Sequence, residues 1–182
     1  APIAVPLRKQ YNHLFSQRHL SDFDDPLVDT DGVFRLQSSN LGRKWVEIVD
    51  GTSRTAMLSE VLAGKNDVSV DLSNRGDLRG RWANIWMGTS SYTHWLTPNA
   101  RGGDAIWQVW CDDLPALGMP CAPTDPSSHP GAHEYAAARS NHSGGVNVVF
   151  VDGHVGFYND DVDWHLWKAL STIDGQESIN EP

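Results

Sequence analysis

His142, Asp152, Glu60, Asp50 and Ser53 are the residues of this chain whose types best suit bond-breaking chemistry. An imidazole with a carboxylate is the common general base and its orienting partner, and a serine hydroxyl beside such a pair is a common nucleophile in ester hydrolysis. Ser53 lies in Asp50-Gly51-Thr52-Ser53, and Ser143 directly follows His142. Neither serine sits in a G-x-S-x-G elbow. Two carboxylates drawn from Glu47, Asp50 and Glu60 would serve glycoside hydrolysis if they stood about 5–9 Å apart. Spacing separates His142 from Asp152. Nine residues lie between them, most of them strand formers, which sets the two about 20 Å apart along an extended segment. The competing reading makes Asp152-Gly153 a tight turn and gives His142 a hydrogen bond to the loop entering the strand.

Three other groups could bind rather than react. Asp160, Asp161 and Asp163 follow Asn159 and offer the hard oxygens that suit Ca2+. The competing reading is a helix cap with favourable charge at the helix start. His129, His133, His142, His154 and His165 crowd into one stretch, but a metal needs three or four such ligands converging. Pro130-Gly131 breaks the helical spacing of the first two. Trp82, Trp86, Trp95, Trp107 and Trp110 could form an aromatic platform for carbohydrate or for a protein partner, with core filling as the alternative.

The elements that must position these residues are clearest near the C-terminus. Val146–Val151 is rich in β-branched residues, Asp152-Gly153 is a turn pair, and His154–Tyr158 resumes the extended pattern. This predicts a hairpin with a type I′ turn. Asp160 or Asp161 is the expected N-cap of a short helix over Val162–Leu170, with Leu166, Trp167 and Leu170 on one face. Thr55–Leu62 reads as a buried strand after the Asp50–Ser53 turn, and Lys44–Val49 as a short helical turn or a strand. Residues 64–80 read as loop, and strands are expected near Trp82–Met87 and Ala105–Trp110. The proline-rich stretch 111–133 reads as a long loop. The chain is read as one globular domain over 1–182, with an irregular segment at 1–30, a Trp/Pro-rich insert at 81–133 and a loose tail at 174–182.

Composition narrows the function. The 182 residues carry 23 acidic against 14 basic side chains, a net charge of -9, so nucleic acid and anionic membrane surfaces are poor partners. No apolar run is long enough to span a bilayer. Cys111 and Cys121 cannot form a structural zinc site by themselves, and a local disulfide is expected if the protein is exported.

The stretch from His142 to Asp152-Gly153 resembles the H-x9-DG signature of a large prepilin-like family of unknown function, typical of planctomycetes. Asp50-Gly51-Thr52-Ser53-Arg54-Thr55 through Glu60 resembles that family's second block, and Asp31–Phe34 and the Ala136–His142 run are similar to it as well. The resemblance covers roughly 31–60 and 136–172. It implies an α+β fold: a pseudopilin-like small antiparallel sheet with a C-terminal hairpin and short helices, here without the N-terminal anchor helix. It also implies an extracytoplasmic place and, as partners, other pseudopilin-like subunits or cell-surface components. Calcium at Asp160, Asp161 and Asp163 would parallel the C-terminal calcium loop of major pseudopilins. Three functions are therefore expected in order: a structural or interaction domain of a cell-surface or secretion assembly, an extracytoplasmic hydrolase of an ester or glycoside bond, and a carbohydrate-binding module.

Overall fold

The computed structural model describes residues 33, 44–64, 76–81, 87–106, 110–122 and 134–175. Three strands, β1 (Ala56–Ser59), β2 (Gly145–Phe150) and β3 (Val155–Asn159), form one antiparallel sheet in the order β1-β2-β3. A short helix, α1 (Trp164–Ala169), follows β3, and single 3-10 turns stand at Trp45–Glu47 and Pro115–Leu117. The arrangement is a small mixed α+β fold, as expected.

β2 is the central strand because its side chains alternate as the pleat requires. Val146, Val148 and Phe150 are buried, while Asn147 and Val149 are half-buried on the opposite face. The buried face packs against Ala56, Tyr92, Ala138, Trp167 and Leu170 to form the main core. α1 reaches this core through Trp167 and Leu170, with Leu166 packed at its margin, which matches the expected face. A second cluster of Met87, Ile106, Cys111 and Ala136 lies in the segment between β1 and β2.

Three expectations need correction. The hairpin loop is not a two-residue type I′ turn. Phe150 N–H donates to His154 C=O, and Gly153 N–H donates back to Phe150 C=O. Val151, Asp152 and Gly153 therefore form a three-residue loop, and of these only Gly153 has positive φ, at 89°. That is a type I turn closed by a left-handed glycine, the next most common hairpin solution. The helix cap is Asp163 rather than Asp160 or Asp161, since its side chain accepts from the N–H groups of His165 and Leu166. β1 is shorter than expected and is an edge strand. The register breaks between Ala56 and Leu58, and Leu58 stands 48% exposed.

The strands expected at 82–87 and 105–110 lie largely outside the described residues. Met87 and Ala105 make isolated bridges, to Ser91 and Tyr135. Residues 76–80 are irregular, as a loop reading requires, yet Asp77, Leu78 and Arg79 are buried. Cys111 and Cys121 are joined in a disulfide, as expected. The irregular N-terminal segment, Asp31, Gly32, Phe34 and most of the C-terminal tail also fall outside the described residues.

Candidate functional site

The two sequence blocks singled out above meet in space. Glu60, just past the end of β1, sits beside the start of β2. Its Oε2 accepts from Asn147 N–H at 2.8 Å, and its Oε1 lies 2.9 Å from His142 Nε2. With the carboxylate ionised, Nε2 must carry the proton, because a carboxylate can only accept. Burial by itself would raise the Glu60 pKa. The bonds from Asn147 backbone and amide and from His142 outweigh it, and hold the carboxyl below its ordinary value. The imidazole is 54% and the carboxylate 33% exposed, so the pair stands at the surface.

At the other end of the sheet the same two blocks meet again. Val151 N–H donates to Thr55 C=O and Asp152 N–H to Thr52 C=O, so the Asp50–Thr55 turn docks on the hairpin loop. Asp152 Oδ1 accepts from His154 N–H at 3.1 Å and faces His154 Nδ1 at 2.6 Å. These bonds, the backbone one first, hold the Asp152 carboxyl below the usual carboxylate range. The His154 ring stacks on Phe150, centroids 4.2 Å apart. Asp152 is thus partnered by His154 and not by His142, in keeping with the strand-length argument.

The remaining candidates are spread over the domain. Asp50 Oδ2 accepts from Thr172 Oγ1 and from Gly175 N–H, tying the turn to the segment after α1. Ser53 is exposed in the same turn and is not brought to an imidazole by any described contact. Ser140, rather than Ser53 or Ser143, lies nearest His142 by bonding. Its Oγ accepts from His142 N–H and donates to Gly145 C=O.

Asp160 Oδ1 accepts from Asn99 Nδ2, Asp163 caps α1, and Asp161 is exposed. Among the described residues no group of three or more His, Cys, Asp or Glu is placed to hold a metal ion. One oxygen of Asp160 is thus held by an amide and one of Asp163 by the start of α1. Trp82, Trp86 and Trp107 lie outside the described residues. Trp110 packs against the second cluster. Trp95 meets Trp164 edge-on at 77°, so these two do not make the coplanar platform that sugar stacking needs.

Sequence reasoning missed three features. The first is a buried chain of charges, Asp77–Arg79–Asp104–Arg139. Arg79 bridges Asp77 (2.6 Å) and Asp104 (2.9 Å), and Arg139 grips Asp104 at 2.8 Å. The spare guanidinium hydrogens go to the carbonyls of Ala100, Gly102, Asp112, Gly118, Met119 and Pro120. A buried ion chain persists only when its donors are used this fully. The only trace of it in the sequence is Arg139 directly after the apolar run Ala136–Ala138, which does not point to its partners.

The second feature is Lys168, whose Nζ lies 4.3 Å and 4.1 Å from the ring centroids of Trp95 and Trp164. The Nζ is buried with no hydrogen-bond acceptor among the described residues, and burial lowers its pKa. His94 is a further buried group. Its ring stacks on Trp167, and its Nδ1 donates to Trp167 C=O at 2.5 Å. Nε2 is then left to accept from the Tyr92 hydroxyl, whose own pKa burial raises.

These observations define a class: a small α+β domain with a braced three-stranded antiparallel sheet, a disulfide and a buried ionic core. The chain belongs to the family described as "Protein of unknown function (DUF1559)", whose model matches residues 5–165. No curated protein and no solved structure matches the chain.

Proposed function

We propose that this chain is an exported, pseudopilin-like structural or interaction domain that works in a cell-surface or secretion assembly, and that the H-x9-DG stretch is a folding motif. The observation that carries this reading is the use of Glu60. Its two oxygens clasp the entry to β2, one through Asn147 N–H and one through His142, while Ser53 and Asp50 lie in a different turn. A residue spent on holding backbone supports a scaffold role. The disulfide supports an oxidising, extracytoplasmic compartment. Other pseudopilin-like subunits or surface components are the partners this reading names.

A hydrolase is the second reading, favoured by one observation: the Glu60–His142 pair is exposed and could act as a base. One experiment separates the two. Wild-type protein and the Glu60→Gln and His142→Ala variants are assayed against panels of chromogenic esters and glycosides, and unfolded thermally in parallel. The scaffold reading expects no turnover by the wild type and a lower Tm for both variants. Wild-type turnover that disappears in both variants while their Tm holds would replace it with the hydrolase.

A further inference from the structure

We infer that β3 is a self-pairing edge, and that two copies of this chain join antiparallel through it to make one continuous sheet. Strand β3 has β2 on one side and no strand on the other within the described sheet. The bonding phase shows which of its groups are left over. Phe150 N–H donates to His154 C=O, and Asp160 N–H donates to Gly144 C=O. In an antiparallel pair, bonded and non-bonded positions alternate, so Gly156 and Tyr158 bond inward to Val148 and Val146. The N–H and C=O groups of Val155 and Phe157 therefore point away from β2, and no bond to either is found among the described residues. Asn159 also points outward, but its carbonyl already accepts from Val162 N–H.

The side chains of the same two residues are unprotected. Val155 is 60% and Phe157 49% exposed, on the sheet face opposite the main core. Edge strands are ordinarily blunted by a lysine, a proline or a bulge. The sequence Val-Gly-Phe-Tyr-Asn has none of the first two, and its register with β2 runs unbroken. It is also uncharged, so two copies can approach here although the whole chain carries -9.

The free groups are self-complementary. A two-fold axis at Gly156 sets Val155 of one copy opposite the partner's Phe157, and the reverse. Each facing pair then exchanges two hydrogen bonds and uses every free group of these residues. The glycines face each other across the axis as a non-bonded pair, about 4.5 Å apart at Cα, where the absence of a side chain helps. Val155 and Phe157 of both copies, with Val149 and Leu58 behind them, then form one apolar row across the outer face. Beyond the strand, Asp152 approaches the partner's Asp160, so salt should strengthen the pairing. An interface this short falls below the roughly 1,600 Å² of a standard one, and the equilibrium should be weak and reversible.

Sedimentation velocity of the full chain over a concentration series, in low and raised salt, tests this. The expected result is a reversible shift from 20.1 kDa toward twice that mass, stronger in salt. Amide hydrogen exchange should show Val155 and Phe157 gaining protection as the heavier species forms. Val155→Lys and Phe157→Lys should each abolish the shift while circular dichroism and Tm stay near wild type, because both side chains are exposed. A mass that stays at 20.1 kDa throughout overturns the inference. So does a dimer that survives both lysine variants or leaves the two amides unprotected, because the contact would then lie elsewhere.

Discussion

Glu60 and His142 are separated by 82 positions in the sequence and by 2.9 Å in space. The pair closes the sheet at the end where β1 finishes and β2 begins, and the Thr52–Asp152 and Thr55–Val151 backbone bonds close it at the other. β1 would otherwise be a four-residue edge strand with a register break, and a strand that short is marginal alone. The clasp at each end compensates for its length.

Glu60→Ala should destabilise the domain by about 1–3 kcal/mol, because Asn147 N–H loses its acceptor in a half-buried position. The pH dependence has a definite sign. The folded-state pKa of Glu60 is lowered, so its contribution is present above the ordinary carboxylate value of about 4.3 and is lost as pH falls through the lower folded value. Urea unfolding of wild type and Glu60→Gln from neutral to acid pH should show two stabilities that converge at the acid end. Curves that remain parallel would mean the carboxylate charge contributes nothing.

Asp104 accepts from both buried arginines and from Ala137 N–H. Asp104→Asn leaves two guanidiniums facing the one remaining carboxylate, at a cost of about 3–5 kcal/mol. That is a large share of the 5–15 kcal/mol that typically holds a domain folded. Replacing Asp104 by Leu and Arg139 by Met together should cost less than the sum of the two single changes. Denaturant midpoints for the four proteins measure this directly.

Reducing Cys111–Cys121 should cost about 3 kcal/mol, the loop-closure value for bridged residues separated by 10 positions. Thermal unfolding with and without reductant reads the effect. A Cys111→Ala/Cys121→Ala variant should match the reduced protein, apart from a small packing loss at the buried Cys111. Equal Tm in both redox states would show that the buried arginine chain alone holds this segment.

The Lys168 Nζ is buried between two indoles without an acceptor among the described residues, and its folded pKa is lowered. Between that value and the ordinary lysine value of about 10.4, the unfolded chain holds more protons than the folded one, so stability contributed here rises with pH. Wild type should therefore gain on Lys168→Met across the alkaline range. At neutral pH the difference weighs the cation–π attraction, about 2 kcal/mol when desolvated, against the cost of burying the ammonium. Chemical unfolding of both proteins from neutral to alkaline pH gives the comparison.

The hairpin and the helix after it are readable along the chain because each is set by neighbours: β-branched alternation, a turn pair, and an aspartate before an apolar face. What local reading could not resolve was which of several similar residues takes each role. Asp160, Asp161 and Asp163 all suit an N-cap, and the ladder bond from Asp160 N–H to Gly144 C=O carries the strand pairing past Asn159 and moves the helix start onward. Asp-Gly fits a two-residue turn as well as a longer one. The longer form is the one whose Val151 and Asp152 N–H groups reach Thr55 and Thr52. The Glu60–His142 clasp and the buried arginine chain were illegible for a different reason. The clasp and the two bonds to Asp104 join residues more than twenty positions apart, and charged side chains in a loop-like sequence carry no mark of burial until the fold brings their partners together.

The chain leaves the sheet at Glu60 and comes back at Arg139, whose N–H donates to Glu60 C=O at 2.8 Å. Among the described residues between these two points, Met87, Ile106, Cys111 and Ala136 make a second apolar cluster beside the disulfide and the buried ion chain, whereas Tyr92 and His94 are built into the main core against Trp167. The exposed turns of this excursion can lengthen at a closure cost that grows only logarithmically, while the Tyr92–His94 stretch stays pinned to the sheet. Evolution can thus rewrite those exposed turns while the clasped sheet keeps the same register.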